Sequence, residues 1–356
     1  MTDERKALFW LSASGLSAAK QNKLLEIFGS ACEIRNSLAS EKLREFVGDK
    51  NHARLCATKD ETKIDAALHA IAAKGIRLLL RGFDGYPAAL DMREAEPPPV
   101  LYAKGNADLL RSPAVCIVGT RRCTEYGRRV ANEWASALAS KFVIVSGYAT
   151  GVDTYAVKSC LASGGRAVIV LACGLDKYDL PDFMRKCPPE RLLLLSEYPL
   201  GTRTAKFSYH ERNRLLSGLS RGVIVVEASE KSGALITADC AATQNRPVFA
   251  VPGDVFSDRS RGVNLLLRHG AIAATSPADV CEDLGEGYDA PQTAGLPVMT
   301  DEQRAVYDFL SAGKRHFDDI TAMLGIPAHE ASALLSMMEL EGIVERRMQN
   351  FYALLN

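Results

Sequence analysis

Charge imbalance, paired cysteines and long apolar runs are all missing from this chain of 356 residues. Lysine and arginine total 43 and so do aspartate and glutamate, giving a formal net charge of zero. Overall charge therefore demands no polyanionic partner, and any basic footprint must be a local patch. The nine cysteines, at 32, 56, 116, 123, 160, 173, 187, 240 and 281, include no Cys-x-x-Cys pair. That excludes a zinc ribbon or a disulfide frame and points to small core residues in a reducing compartment. No apolar stretch approaches the ~20 residues that span a bilayer. The opening Met1-Thr2-Asp3-Glu4-Arg5-Lys6 is too charged for a signal peptide. A cytoplasmic protein without a membrane span is expected. Its 47% apolar and 24% charged residues are ordinary for a globular chain, and its length suggests two or three domains.

The middle of the chain is organised by six short apolar runs, each closed by a small or polar turn. They are 115–118, 142–145, 167–172, 192–195, 223–226 and 248–251. Apolar runs without polar alternation read as strands buried on both faces, hence a mostly parallel sheet under helices. Ligands of such sheets bind beyond the carboxyl ends of the strands. Glycines, hydroxyls and arginines are concentrated at those ends, which predicts a site for something anionic.

The flanks differ. Residues 1–78 read as a small helical domain, with breaks at Ser14-Gly15-Leu16-Ser17 and Phe28-Gly29-Ser30. This is the outline of a helix–hairpin–helix that offers backbone amides to a phosphate, and equally that of any small helical bundle. Residues 79–283 hold the α/β core, entered through an irregular bridge over 81–102 that includes Pro97-Pro98-Pro99. A linker is expected over 284–298. Residues 299–356 read as a winged helix, with a capping box of Thr300 and Gln303 and helices to Leu310, over 317–324 and over 328–340. Gly342 is expected as a cap, and a hairpin of 343–347 with 350–354. The third helix carries no lysine or arginine, which favours protein contact over base reading.

Three turns suit anions. Gly119-Thr120-Arg121-Arg122 follows the first run, and glycine there allows close approach while arginine adds a planar fork. It is neither a P-loop nor a dinucleotide fingerprint, since GxxxxGK[ST] and GxGxxG are both absent. Ser146-Gly147 through Gly151 and Asp153 follows the second run, and helix capping is the expected role of Asp153. Lys231-Ser232-Gly233 opens a later helix. The densest polar cluster is Lys206-Phe207-Ser208-Tyr209-His210-Glu211-Arg212-Asn213-Arg214, where cations suit phosphates and Phe207 and Tyr209 suit base stacking. Between Gly201 and Gly270, ten basic residues face six acidic ones. Three such turns on one sheet edge predict a groove for several phosphates.

Ile117-Val118-Gly119-Thr120-Arg121, Ser146-Gly147-Tyr148-Ala149-Thr150-Gly151-Val152-Asp153, Cys173-Gly174-Leu175-Asp176, Ser196-Glu197-Tyr198-Pro199, Arg212-Asn213-Arg214 and Lys231-Ser232-Gly233-Ala234 follow in order. Together this series resembles the core of the DprA/Smf family of DNA-processing proteins. Thr150 departs from it, standing where the family commonly has arginine. The resemblance implies an extended Rossmann-like α/β core between a SAM or helix–hairpin–helix domain and a DML1-like winged helix. It implies single-stranded DNA binding, homodimerisation through the core and loading of the RecA recombinase in natural transformation, with no catalytic residues, metal or cofactor. The contacts it implies are Gly119, Thr120, Arg121, Arg122, Ser146, Gly147, Gly151, Lys206, Phe207, Arg212, Asn213, Arg214, Lys231, Ser232 and Gly233. The competing expectation is a nucleotide N-glycosidic hydrolase of the LOG type on a related fold, with Glu197 or Glu227 near the strand ends. Its PGGxGTxxE pattern is absent, and Glu227 reads better as a structural hydrogen-bond partner.

Overall fold

The computed structural model describes residues 3–288, 299–311, 313–340 and 343–354. Two compact units, 1–290 and 291–356, divide the chain.

All six apolar runs form strands of one sheet. Among the described residues this sheet has nine strands: β1 (Arg77–Leu80), β2 (Val100–Gly105), β3 (Ala114–Val118), β4 (Val143–Ser146), β5 (Ala167–Val170), β6 (Leu192–Ser196), β7 (Val223–Val225), β8 (Val248–Ala250) and β9 (Ile272–Ala273). Their spatial order is β1-β2-β6-β5-β4-β3-β7-β8-β9. Neighbours from β6 to β9 are parallel, whereas β2 pairs antiparallel with both β6 and β1. The end of the stretch expected to be an irregular bridge thus forms the first half of β2, which lies between β6 and the edge strand β1. Pairing with β1 and β6 leaves Val100, Leu101 and Tyr102 wholly out of solvent, so burial overrides the local proline signal.

Alternation along each strand feeds two helical layers. Val115, Ile117 and Ile144 pack beneath helices Glu125–Leu138 and Val152–Ala162. Cys116, Val118 and Val145 pack on the other face with Leu215 and Leu216 of helix Lys206–Gly218 and Ala238 of helix Gly233–Thr243. The N-terminal helices run over Asp3–Ala13, Ala18–Phe28, Ala31–Asn36, Glu41–Val47, Asp49–Ala57 and Glu61–Ala73, and break at both glycine turns read from the sequence. Their core, with Trp10, Leu11 and Leu24, is continuous with Tyr102, Ile169 and Leu194 of the sheet.

In the second unit, helices Asp301–Ser311, Phe317–Leu324 and Ala328–Leu340 precede a hairpin of β11 (Val344–Arg346) and β12 (Phe351–Leu354), with β10 (Arg315–His316) added to the other side of β12. Val306, Ile320, Leu335 and Val344 share its core. The capping box is formed reciprocally. Thr300 N–H donates to Gln303 Oε1 at 2.9 Å, and Gln303 N–H donates to Thr300 Oγ1 at 3.2 Å. The cap expected at Gly342 and residues 289–298 of the expected linker lie outside the described residues.

Candidate nucleic-acid interface

From β3 the chain winds outward through β4, β5 and β6, then returns to lay β7 against the other side of β3. A crevice opens at such a reversal, beyond the carboxyl ends of the strands. Here it is a cleft of about 620 Å³. Gly119, Thr120, Arg121 and Arg122 after β3 line it, with Lys206, Arg212 and Asn213 of helix Lys206–Gly218 and Ser232 and Gly233 after β7. The first and third of the three turns expected to suit anions converge here with the 206–214 cluster, whereas of the second only Ala149 and Asp153 reach the lining.

Each wall has a local cause. A Cβ on Gly119 would lie 2.6 Å from Val152 Cγ2, so only glycine lets the β3 turn pass over the next helix. Thr120 N–H donates to the Glu227 carbonyl at 2.7 Å, tying the turn to β7. The side chains of Arg121 and Arg122 stay exposed. On the opposite wall Lys206, Tyr209, His210 and Asn213 all line the cleft, following the i, i+3, i+4, i+7 spacing of one helical face. Tyr209, weighed above as a stacking aromatic, lies under Arg121, whose guanidinium is 5.3 Å from the ring centroid. His210 was not foreseen, although the same spacing marks it. Among the described residues Arg121, Arg122, Lys206 and Lys231 make no ion pair.

Beneath the cleft lies a buried pair of opposite charges. Arg212 is 4% exposed and donates through Nη1 to the carbonyls of Gly147 at 3.0 Å and Val170 at 2.5 Å. Asp153, also 4% exposed, accepts the Ala149 N–H at 3.3 Å. Burial pushes the Asp153 carboxyl above its ordinary range and the Arg212 guanidinium below its own, and each charge counteracts the shift of the other. Asp153 was read as a helix cap; it instead pins the turn that follows β4.

Ser146, Gly147, Gly151, Phe207, Arg214 and Lys231 are not brought to the cleft lining. Ser146 is wholly buried, and its hydroxyl donates to the Ile117 carbonyl at 3.3 Å. A Cβ on Gly147 would sit 2.3 Å from the Arg212 guanidinium. Gly151 has φ of +93°, and a Cβ there would lie 2.3 Å from the Thr120 carbonyl oxygen. These three shape the loop instead of presenting donors. Arg214 is corrected from a groove cation to an internal brace. Two residues beyond Arg212 it points about 200° around the helix, where it pairs with Glu197 and lies 4.0 Å from Glu96. Phe207 is 62% exposed on the first helical turn, and Lys231 is exposed next to Ser232.

Glu227 is 2% exposed and is engaged through both oxygens. Thr124 donates its N–H to Oε2 at 2.8 Å and its hydroxyl to Oε1 at 2.6 Å. Thr124 also caps helix Glu125–Leu138 by accepting the Gly127 N–H at 3.2 Å. Replacing Thr124 with valine removes a cap and leaves a buried carboxylate one donor short. The expected loss is about 2–3 kcal/mol, read as a lower urea midpoint with an unchanged slope; a loss under about 0.5 kcal/mol would contradict this bracing role.

A sequence model of the DNA recombination-mediator protein A family matches residues 77–285, the whole of the sheet and its cleft. The chain belongs to the DprA/Smf family. A model of the DprA winged helix domain matches residues 290–348. The DNA processing protein DprA of Bacillus subtilis is 38% identical over 261 residues, covering 70% of this chain and 86% of that protein. The crystal structure of DprA from Streptococcus pneumoniae superposes with a TM-score of 0.67 at 31% identity, covering 80% of this chain and 99% of that one. DprA from Helicobacter pylori, in a structure that addresses its single-stranded DNA binding mode, gives a TM-score of 0.51 at 31% identity, over 60% and 97% of the two chains. The mostly parallel, Rossmann-like core and C-terminal winged helix of the DprA family are therefore those of this chain. Among the described residues no helix is long and apolar enough to cross a membrane.

Proposed function

We propose that this protein is a recombination mediator that holds single-stranded DNA in the cleft where the strand order reverses. The observation that carries this reading is the convergence of Arg121, Arg122 and Lys206 on that one cleft in a chain of zero net charge. Phosphates dock against these cations and against the start of helix Gly233–Thr243, whose dipole favours an anion. Tyr209 offers a face on which a base stacks, and every base has such a face. Recognition is therefore blind to sequence. The wider role, shared with the family it resembles, is protection of an incoming strand and loading of RecA in natural transformation, by a homodimer formed through the core.

The reading is non-enzymatic. Of the two carboxylates considered for N-glycosidic hydrolysis, Glu227 accepts a hydrogen bond from Thr124 on each oxygen and Glu197 is paired with Arg214. In the winged helix, the third helix exposes Met337 and carries no lysine or arginine, which supports contact with protein.

Labelled oligo-dT titrated across a salt series, against its duplex, tests the proposal. Each phosphate neutralised on a single strand contributes a slope of about −0.7 in log affinity against log salt. Three cations predict a slope near −2, with duplex bound more weakly because its paired bases are not free to stack on Tyr209. Equal affinity for both forms, or none for the single strand, would overturn it.

A further inference from the structure

A second basic cavity lies along helix Val152–Ala162, and its Phe183 packs against Tyr148, the chain neighbour of Ala149 in the first cleft. Its volume is about 490 Å³, and its lining includes Lys158, Phe183, Lys186 and Arg191 but no carboxylate. Lys158 Nζ stands 5.6 Å from the Phe183 ring centroid. Among the described residues Lys158 and Lys186 form no ion pair, whereas nearby Arg185 is already held by Asp179 at 2.5 Å and Asp182 at 3.5 Å. Arg191 donates to the carbonyls of Gly165, at 2.9 Å, and Leu161. It thereby neutralises the end of the helix that would otherwise repel an anion.

The link to the first cleft is one residue long. Ala149 lines that cleft, and Tyr148 precedes it with φ of +52°, a left-handed conformation that a tyrosine adopts only under constraint. Its ring packs 6.1 Å from Phe183 and edge-on to Tyr178 at 6.3 Å. Aromatic rings beside unpaired cations make the usual platform for an unpaired strand. We propose that the strand held in the first cleft continues over Tyr148 and Phe183 into this second cavity, where Lys158 and Lys186 take its phosphates.

This inference rests on the proposed single-stranded DNA binding, and the test separates the two. Fluorescence anisotropy of the full chain is measured with oligo-dT of about six and about twenty nucleotides, lengths chosen to fill one site or both. The variant Lys158→Ala/Lys186→Ala changes only exposed side chains. It is expected to bind the long oligonucleotide about tenfold more weakly, with a salt slope shallower by about 1.4, and to bind the short one as wild type does. Phe183→Leu is expected to weaken the long oligonucleotide alone. Unchanged affinity and slope for the long probe, or an equal loss for both probes, would overturn the second site while leaving the first standing. Failure of the wild type to bind either probe would instead remove the functional reading itself.

Discussion

Alanine at both Arg121 and Lys206 is expected to weaken oligo-dT binding about a hundredfold at moderate salt. A charge-assisted hydrogen bond to phosphate contributes roughly 1.5–3 kcal/mol, and two at the lower value sum to the ~3 kcal/mol that corresponds to this factor. Arg121 carries a second term, because its guanidinium lies over Tyr209 and holds the stacking ring; such contacts at exposed sites contribute about 0.5–1 kcal/mol. The salt slope should become shallower by about 1.4 in the double variant. Both side chains are exposed and unpaired among the described residues, so folding should be unaffected and circular dichroism unchanged. Arg214→Ala provides the contrast. That guanidinium is braced by Glu197, and its loss should lower stability while leaving the slope alone. A double variant at Arg121 and Lys206 that binds as tightly as wild type would place the strand elsewhere.

Arg212→Met is expected to destabilise the first unit by about 3–5 kcal/mol, the range found when one partner of a buried charge pair is removed. The substitution leaves the buried Asp153 charge without its countercharge and takes a donor from the Gly147 and Val170 carbonyls. The pH dependence follows from the direction of the shift. Burial already raises the Asp153 pKa, and Arg212 holds it down. Without Arg212 it rises further, so the folded state takes up a proton more readily than the unfolded chain does. The deficit is then full where Asp153 is ionised and shrinks as pH falls toward its raised pKa. Adding Asp153→Asn to Arg212→Met should recover about 1 kcal/mol or more, because the stranded charge is gone. Urea denaturation at neutral and mildly acidic pH measures both effects. A pH-independent loss below about 1 kcal/mol would show that the pair does not brace the cleft floor.

The two arginines of Arg212-Asn213-Arg214 show where sequence reading stops. The residue type was read correctly as anion-seeking, but the anion each one finds is internal: carbonyls and Asp153 for Arg212, Glu197 for Arg214. Nothing in the local string separates them from Arg121 or Lys206, which stay exposed. Ser146, Gly147 and Gly151 likewise carry the composition of a phosphate loop, yet close contacts with Arg212 and Thr120 turn them inward. By contrast, the face made by Lys206, Tyr209, His210 and Asn213 follows from helical spacing alone.

Local pattern was enough for the six parallel strands, the glycine breaks between helices and the winged-helix order, because burial on both faces and chain reversal leave their mark within a few residues. Two matters belonged to the folded chain. The end of the proline-rich bridge became part of β2 because β1 and β6 gave it strands to pair with on both sides, and the cluster of cations divided into cleft and brace according to which carbonyls and carboxylates folding placed within reach. Hydrophobic periodicity is written along the chain, whereas the partner of a charge is set by residues tens of positions away.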